Sequence, residues 1–283
     1  MTVTRHSDTA ETTTSEPRQS VVTRCVLASD PRLAYLVYVP KARSTEERLV
    51  VSIHSANRNA GAHARLLSAY AEMYGAVLLV PHFSASRYGD YQSLGRIGRG
   101  KRADLALHRI IAEATALIGT PADRFHLFGF SAGAQFVHRY TMAYPHRVAS
   151  AVIANARRFT LPDPKLRFPR GIRSTPKLPG LRFDPEAFVR VRMKVLLGAP
   201  DAEDEVVTLP RRRTEQDREQ GAVRAERARQ WVAAMQQACR EHGVESAVTY
   251  EELPDRIRSF RSSVLRAGLA ERAFEAMFGP PPR

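Results

Sequence analysis

The residues best suited to chemistry are Gly129-Phe130-Ser131-Ala132-Gly133, a serine between small neighbours. The apolar run Phe125 to Phe130 reads as a strand, and Ala132 to Val137 opens a helical pattern, which puts Ser131 at a sharp strand-to-helix corner. A corner of this kind tolerates only small flanking residues, and Gly129, Ala132 and Gly133 supply them. A serine exposed there can attack a carbonyl carbon once a base removes its proton. The helix N-terminus behind it offers backbone N–H donors and a positive dipole end to the developing oxyanion.

Such a corner needs a scaffold, and the chain supplies one by alternation. Leu49 to His54, Ala76 to His82, Arg124 to Phe130, Val148 to Ala154 and Val191 to Leu197 are short apolar runs suited to strands buried on both faces. Val248 to Leu253 is a weaker last strand. Val21 to Ala28 and Leu33 to Val39, joined through Asp30-Pro31, predict an antiparallel hairpin at the start. Helical spacing of apolar residues runs over Ala60 to Tyr74, Arg102 to Ile118, Ala132 to Tyr144, Ala222 to Glu241 and Ser262 to Phe278. Strand and helix in repetition predict an α/β protein with a doubly wound, mostly parallel sheet. No internal repeat points to a solenoid or propeller.

At 283 residues and 43% hydrophobic content, one large core is expected over 21–283. Residues 1–20, rich in Thr, Ser and Glu, read as a disordered tail with no apolar leader. Two cysteines, Cys25 and Cys239, suit a reducing compartment, so a cytoplasmic protein is expected, and the apolar runs are too short to span a membrane. Residues 159–188 hold six prolines among basic and aromatic residues, which excludes a helix or a central strand; the stretch reads as a lid or loop insertion, or equally as an ordered surface crossover. The net charge of +14 would attract anions. Its arginines are scattered and come with no nucleic-acid recognition motif, so a solvated basic surface is the simpler expectation and a nucleic-acid partner is not expected.

The stretch Phe125 to Ala154 resembles bacterial α/β-hydrolases of the esterase and poly(3-hydroxyalkanoate) depolymerase-like group. The resemblance extends from about Leu49 to Glu252: Ile53-His54-Ser55 resembles the family's His-Gly strand end, and Gln220-Gly221 through Glu226-Arg227 its QG…ER segment. It implies an α/β-hydrolase fold with an eight-stranded, mostly parallel sheet, and acyl hydrolysis or transfer by a serine, acid and histidine relay with no metal or other cofactor. On that resemblance Ser131 is the nucleophile, and Ala132 gives the first oxyanion N–H. The second comes from the loop near Ser55 or Ala56, where Ser55 replaces the family's glycine. Asp201 takes the acid position with Asp204 behind it, and Arg258 falls where the family has histidine.

An arginine stays protonated and cannot take the serine proton. His138 lies seven residues along the helix, about 10 Å away, His126 is at the far end of its strand, and His242 precedes the last strand. His54 and His82, at C-terminal strand ends, remain as candidate bases or pocket residues, with a loop histidine held by a backbone hydrogen bond as the simpler expectation for each. Two functions stay open: an acyl hydrolase or transferase acting on an ester, thioester or amide, with an atypical triad; or an altered relative that binds an anionic ligand or partner, or runs a non-hydrolytic reaction, with Arg256 and Arg258 favouring anions. The expected partner in either is a small molecule; no motif specifies an oligomeric state.

Overall fold

A computed structural model describes residues 20–120, 123–199, 224–254 and 259–281. The hairpin forms from β1 (Thr23–Leu27) and β2 (Asp30–Tyr38), paired antiparallel. Its turn is Ala28-Ser29, so Asp30-Pro31 opens β2 instead of making the turn. Pairing of β2 with its other neighbour begins only at Ala34, and a proline at position 31 therefore removes no ladder bond there.

The chain continues through β3 (Leu49–Ile53), α1 (Ala60–Met73), β4 (Val77–His82), α2 (Ala103–Ile118), β5 (Phe125–Phe130), α3 (Ala132–Ala143) and β6 (Val148–Ala154). A short α4 (Pro185–Phe188), β7 (Arg192–Gly198), α5 (Arg224–Glu241), β8 (Val248–Leu253), α6 (Phe260–Arg266) and α7 (Leu269–Phe278) complete it. Eight strands form one sheet in the order β1-β2-β4-β3-β5-β6-β7-β8, parallel from β4 to β8. All five residues of β3 are buried, as continuous apolar runs require when helices cover both faces. Helices α2, α3 and α5 cover one face, with Phe136, Tyr140, Trp231 and Met235 in the core; α1, α6 and α7 cover the other around Leu67, Phe128 and Phe274.

The helix expected over Ser262 to Phe278 is two helices. Gly268 adopts φ 63°, ending one and starting the next, and α6 begins two residues earlier, at Phe260, because Ser259 and Ser262 form a reciprocal capping box. Within 159–188 only α4 is regular, yet the stretch is firmly seated. Phe159, Phe168, Leu178, Leu181 and Phe188 are buried, and every polar atom of Thr160 is bonded. Thr160 N–H donates to His138 Nε2 (3.0 Å), its hydroxyl donates to Pro169 O (2.7 Å) and accepts from Arg139 Nε (2.9 Å), and its carbonyl accepts from Trp231 Nε1 (2.7 Å). These bonds fasten the Pro-rich stretch to α3 and α5. Among the described residues no helix is long and apolar enough to cross a membrane.

Candidate active site

The turn between β5 and α3 holds Ser131 at φ 54°, ψ −110°, a backbone conformation that costs a non-glycine residue of order 1–3 kcal/mol. Two hydrogen bonds hold it there: Ser131 N–H donates to Ala154 O at the end of β6 (2.8 Å), and Ser131 O accepts from Gln135 N–H (3.2 Å). The glycines are required by contact. A Cβ on Gly129 would lie 2.4 Å from Gly133 O, and one on Gly133 would lie 2.1 Å from Ile53 O and 2.6 Å from His54 O. The α3 N-terminus is thus pressed against the end of β3, which brings the His54-Ser55-Ala56 loop beside the serine turn.

Ala132 opens α3, where an amide has no intrahelical acceptor, and among the described residues its N–H makes no hydrogen bond. Ser55 is buried; its hydroxyl donates to Asn57 Oδ1 (2.7 Å), and its carbonyl accepts from Arg58 N–H (2.9 Å). With both of these turned into the loop, the N–H groups of Ser55 and Ala56 have no acceptor among the described residues. Two sets of unsatisfied backbone donors therefore flank the serine, one from each side of the β3–α3 contact.

Of the two readings open for His54, a candidate base or a loop histidine held by backbone hydrogen bonds, the structure shows the second. The His54 ring is fully buried, Nδ1–H donates to Ser55 O (3.0 Å), and Nε2 accepts from Phe83 N–H (3.0 Å). With its only lone pair occupied, the ring fastens the loop after β3 to the loop after β4. Burial, with lesser repulsion from His82 and Arg58, holds it neutral, its pKa down to about 4. The backbone around it is braced too: Tyr91 Oη donates to His54 O (2.8 Å), and Arg58 donates to Phe83 O and stacks over Tyr91.

His82 is half-buried, its ring edge-on to His54 at 6.0 Å, and it makes no hydrogen bond among the described residues. Register places it level with Phe130 but two strands away, about 10 Å between backbones. Its pKa is lowered by burial first, then by Arg24 and Arg58. His126 and His138 are structural, as their positions suggested: His126 bonds Ser150 Oγ (2.8 Å), while His138 Nδ1 donates to Ala134 O (3.0 Å) and Nε2 receives Thr160 N–H.

Among the described residues, one fully buried histidine escapes the sequence reading. His63, three residues into α1, is fully buried, bonded through Nδ1 to Ser52 Oγ (2.9 Å) and stacked on Phe260 at 3.6 Å, with Nε2 unpartnered among the described residues. Its spacing with Ala60, Ala64 and Leu67 on the buried face of α1 was the available signal. Burial drives its pKa well below the usual histidine range.

No family model matches the chain, and no curated protein matches it. Solved structures do. Poly(aspartic acid) hydrolase-1 from Sphingomonas sp. KT-1 superposes with a TM-score of 0.70 at 23% identity, over 86% of this chain and 92% of that one. LpqC, a poly(3-hydroxybutyrate) depolymerase from Bordetella parapertussis, gives 0.69 at 22% identity, over 89% and 85%. FphF, a fluorophosphonate-binding serine hydrolase of Staphylococcus aureus, gives 0.52 at 11% identity, over 87% and 91%. The chain has the α/β-hydrolase fold.

In this α/β-hydrolase fold β7 ends at Gly198 and β8 at Leu253, in register with each other and at the same sheet edge as Ser131. Asp201, Asp204, Arg256 and Arg258 follow those ends and lie outside the described residues, as does most of the N-terminal tail. Among the described residues no group of three or more His, Cys, Asp or Glu is arranged to hold a metal.

Proposed function

We propose that the protein cleaves an ester, thioester or amide, or transfers its acyl group, through Ser131. The observation that carries this reading is the strained serine at a helix N-terminus with unsatisfied backbone N–H groups on both sides. Ser131 Oγ attacks the carbonyl carbon; the negative charge that moves onto the carbonyl oxygen is met by Ala132 N–H and by Ser55 or Ala56 N–H. These donors stand in place before the charge forms, and removing one such donor in other hydrolases costs roughly a hundredfold or more in rate. The likeness to a poly(aspartic acid) hydrolase and a poly(3-hydroxybutyrate) depolymerase is consistent with amide or ester carbonyls, since both polymers present one to a nucleophile.

Activation of the serine is the atypical part. Asp201 is the proposed acid, and Arg258 in the family's histidine position does not accept a proton at physiological pH. With His54 committed to Phe83 N–H, the proton goes to His82 through water or to a basic group on the substrate. A fluorophosphonate probe tests the core of the proposal: stoichiometric labelling that disappears in Ser131→Ala supports it, and no labelling at high probe concentration overturns it. Arg258→His tests the relay. Esterase activity rising by at least tenfold in that variant means that the native site lacks a histidine base; a fall means that Arg258 has a positive role, and unchanged activity means that this position takes no part in the relay.

The second reading, a pocket that binds an anion without acyl transfer, is favoured by that same arginine. It predicts ligand binding that survives Ser131→Ala and no probe labelling.

A further inference from the structure

The charge that acyl transfer leaves unused is markedly one-sided. From Arg157 to Arg182 the sequence carries eight Lys and Arg residues against the single acid Asp163. The first two of these cations follow soonest after the Ala154 carbonyl that holds the serine N–H, in a stretch pinned at both ends and in the middle. Ala154 O accepts Ser131 N–H (2.8 Å), Arg227 Nη1 donates to Arg157 O (3.0 Å), and Thr160 N–H donates to His138 Nε2 (3.0 Å). Residues 154–160 therefore run beside the first two turns of α3, whose positive end faces the same place.

Both Arg157 and Arg158 are exposed, and among the described residues neither is within ion-pair distance of a carboxylate. The cations near them repel: Arg139, fully buried, is brought down to about 9 mainly by burial, with Arg96 and Arg158 adding to the effect against Asp90. An ordinary solvated face would mix signs, whereas from Arg157 to Arg182 the sequence interrupts its cations only at Asp163. Arg157 is three residues from Ala154, at most about 10 Å of extended chain. From that position an arginine side chain is long enough to meet a carboxylate a few bonds from a carbonyl held at Ser131. Nucleic acid fits less well, because among the described residues none of the exposed large apolar side chains is aromatic and so no base-stacking platform accompanies the arginines there.

We infer that Arg157 and Arg158 form an anion-recognition edge beside Ser131 that selects acyl substrates carrying a carboxylate close to the scissile carbonyl. This rests on the acyl chemistry proposed above. The test is the ratio of kcat/KM for the mono-p-nitrophenyl ester of glutarate to that for p-nitrophenyl butyrate, in the full chain and in Arg157→Glu/Arg158→Glu. The ratio is expected to fall at least about fivefold in the double variant, and to shrink in the parent chain at about 0.5 M salt, as screening of exposed charges requires. A ratio unchanged by both perturbations overturns the inference while leaving the hydrolase reading intact.

If neither ester turns over and the fluorophosphonate does not label, it is the hydrolase reading that fails. The charge edge is then decided by anisotropy of labelled decaglutamate against decathymidylate. Binding of decaglutamate that the double charge reversal abolishes supports the edge. No binding, or tighter binding of the oligonucleotide, overturns it.

Discussion

Gly133→Ala is the sharpest perturbation of the contact on which the site depends. The added Cβ would sit 2.1 Å from Ile53 O and 2.6 Å from His54 O, both backbone atoms, where van der Waals contact needs at least 3.4 Å. The α3 N-terminus and the end of β3 must separate by about 1 Å, and no side-chain rotation can absorb it. Overpacking of this kind costs about 3 kcal/mol. At 2–4 °C per kcal/mol for a domain of roughly this size, the melting temperature should fall by about 10 °C. The separation also moves Ser55 away from Ala132, so fluorophosphonate labelling at a temperature where the variant is folded should slow by at least about tenfold. Gly61→Ala is the control: its Cβ meets only the flexible Arg65 Nη1 at 3.2 Å, and alanine gains helix propensity, so stability should hold or rise by a few tenths of a kcal/mol. Melting of Gly133→Ala within about 2 °C of the parent chain, with unchanged labelling, would refute the reasoning that this glycine joins the two halves of the oxyanion site.

Three further outcomes are expected. Ser131→Gly relieves the φ 54° strain and should raise the melting temperature by a few degrees while abolishing labelling; a lower melting temperature would mean that the serine is not strained. Thr160→Val removes two bonds of a buried hydroxyl and leaves Arg139 Nε without its acceptor, costing about 2–4 kcal/mol and opening the Arg-rich stretch 165–173 to trypsin, which equal digestion rates would contradict. Stability should also fall on acidification: with a folded pKa of about 4 against 6.5, His54 stabilises the fold fully above pH 6.5, and that contribution, up to about 3 kcal/mol, is lost as the pH falls from 6.5 through 4 because the unfolded chain takes up the proton first. His126, with the same direction for the same cause, adds to it. Urea midpoints at pH 7.5 and 4.5 measure the difference, and equal midpoints would contradict it.

The elements were legible because their signals are local. Continuous apolar runs marked β3, β4, β5, β6 and β7 to within a residue or two, and the G-x-S-x-G corner fell where the strand and helix patterns met. What escaped depends on partners far apart in sequence. Nothing near His54 announces that its Nε2 is taken by Phe83 N–H, 29 residues away, and a histidine at a strand's C-terminal end looks the same whether its lone pair is open or occupied. His63 was hidden for the opposite reason, since it occupies an apolar position on α1 and reads as helix face. The Pro-rich stretch was legible as irregular but not as fastened, because Thr160 draws its partners from α3, α5 and its own far side.

The same logic bears on the proposed site, whose oxyanion half and whose base differ in kind. The proposed oxyanion half is made of backbone, and backbone donors need only small residues at Gly129, Ala132 and Gly133 and a loop held in place, so it makes no demand on the side chain at Ser55. A base is a side chain, and a single substitution is enough to remove one. With His54, His126 and His138 each committed through a ring nitrogen to structure, the proposed site has backbone donors for a negative charge and, by the inference above, Arg157 and Arg158 beside them. A site with that balance acts best on substrates that bring their own charge or proton acceptor, and this is why the carboxylate selectivity of the parent chain and the gain from Arg258→His should be read together: a large gain confined to neutral esters would mean that the anionic substrate has been supplying what the missing histidine would.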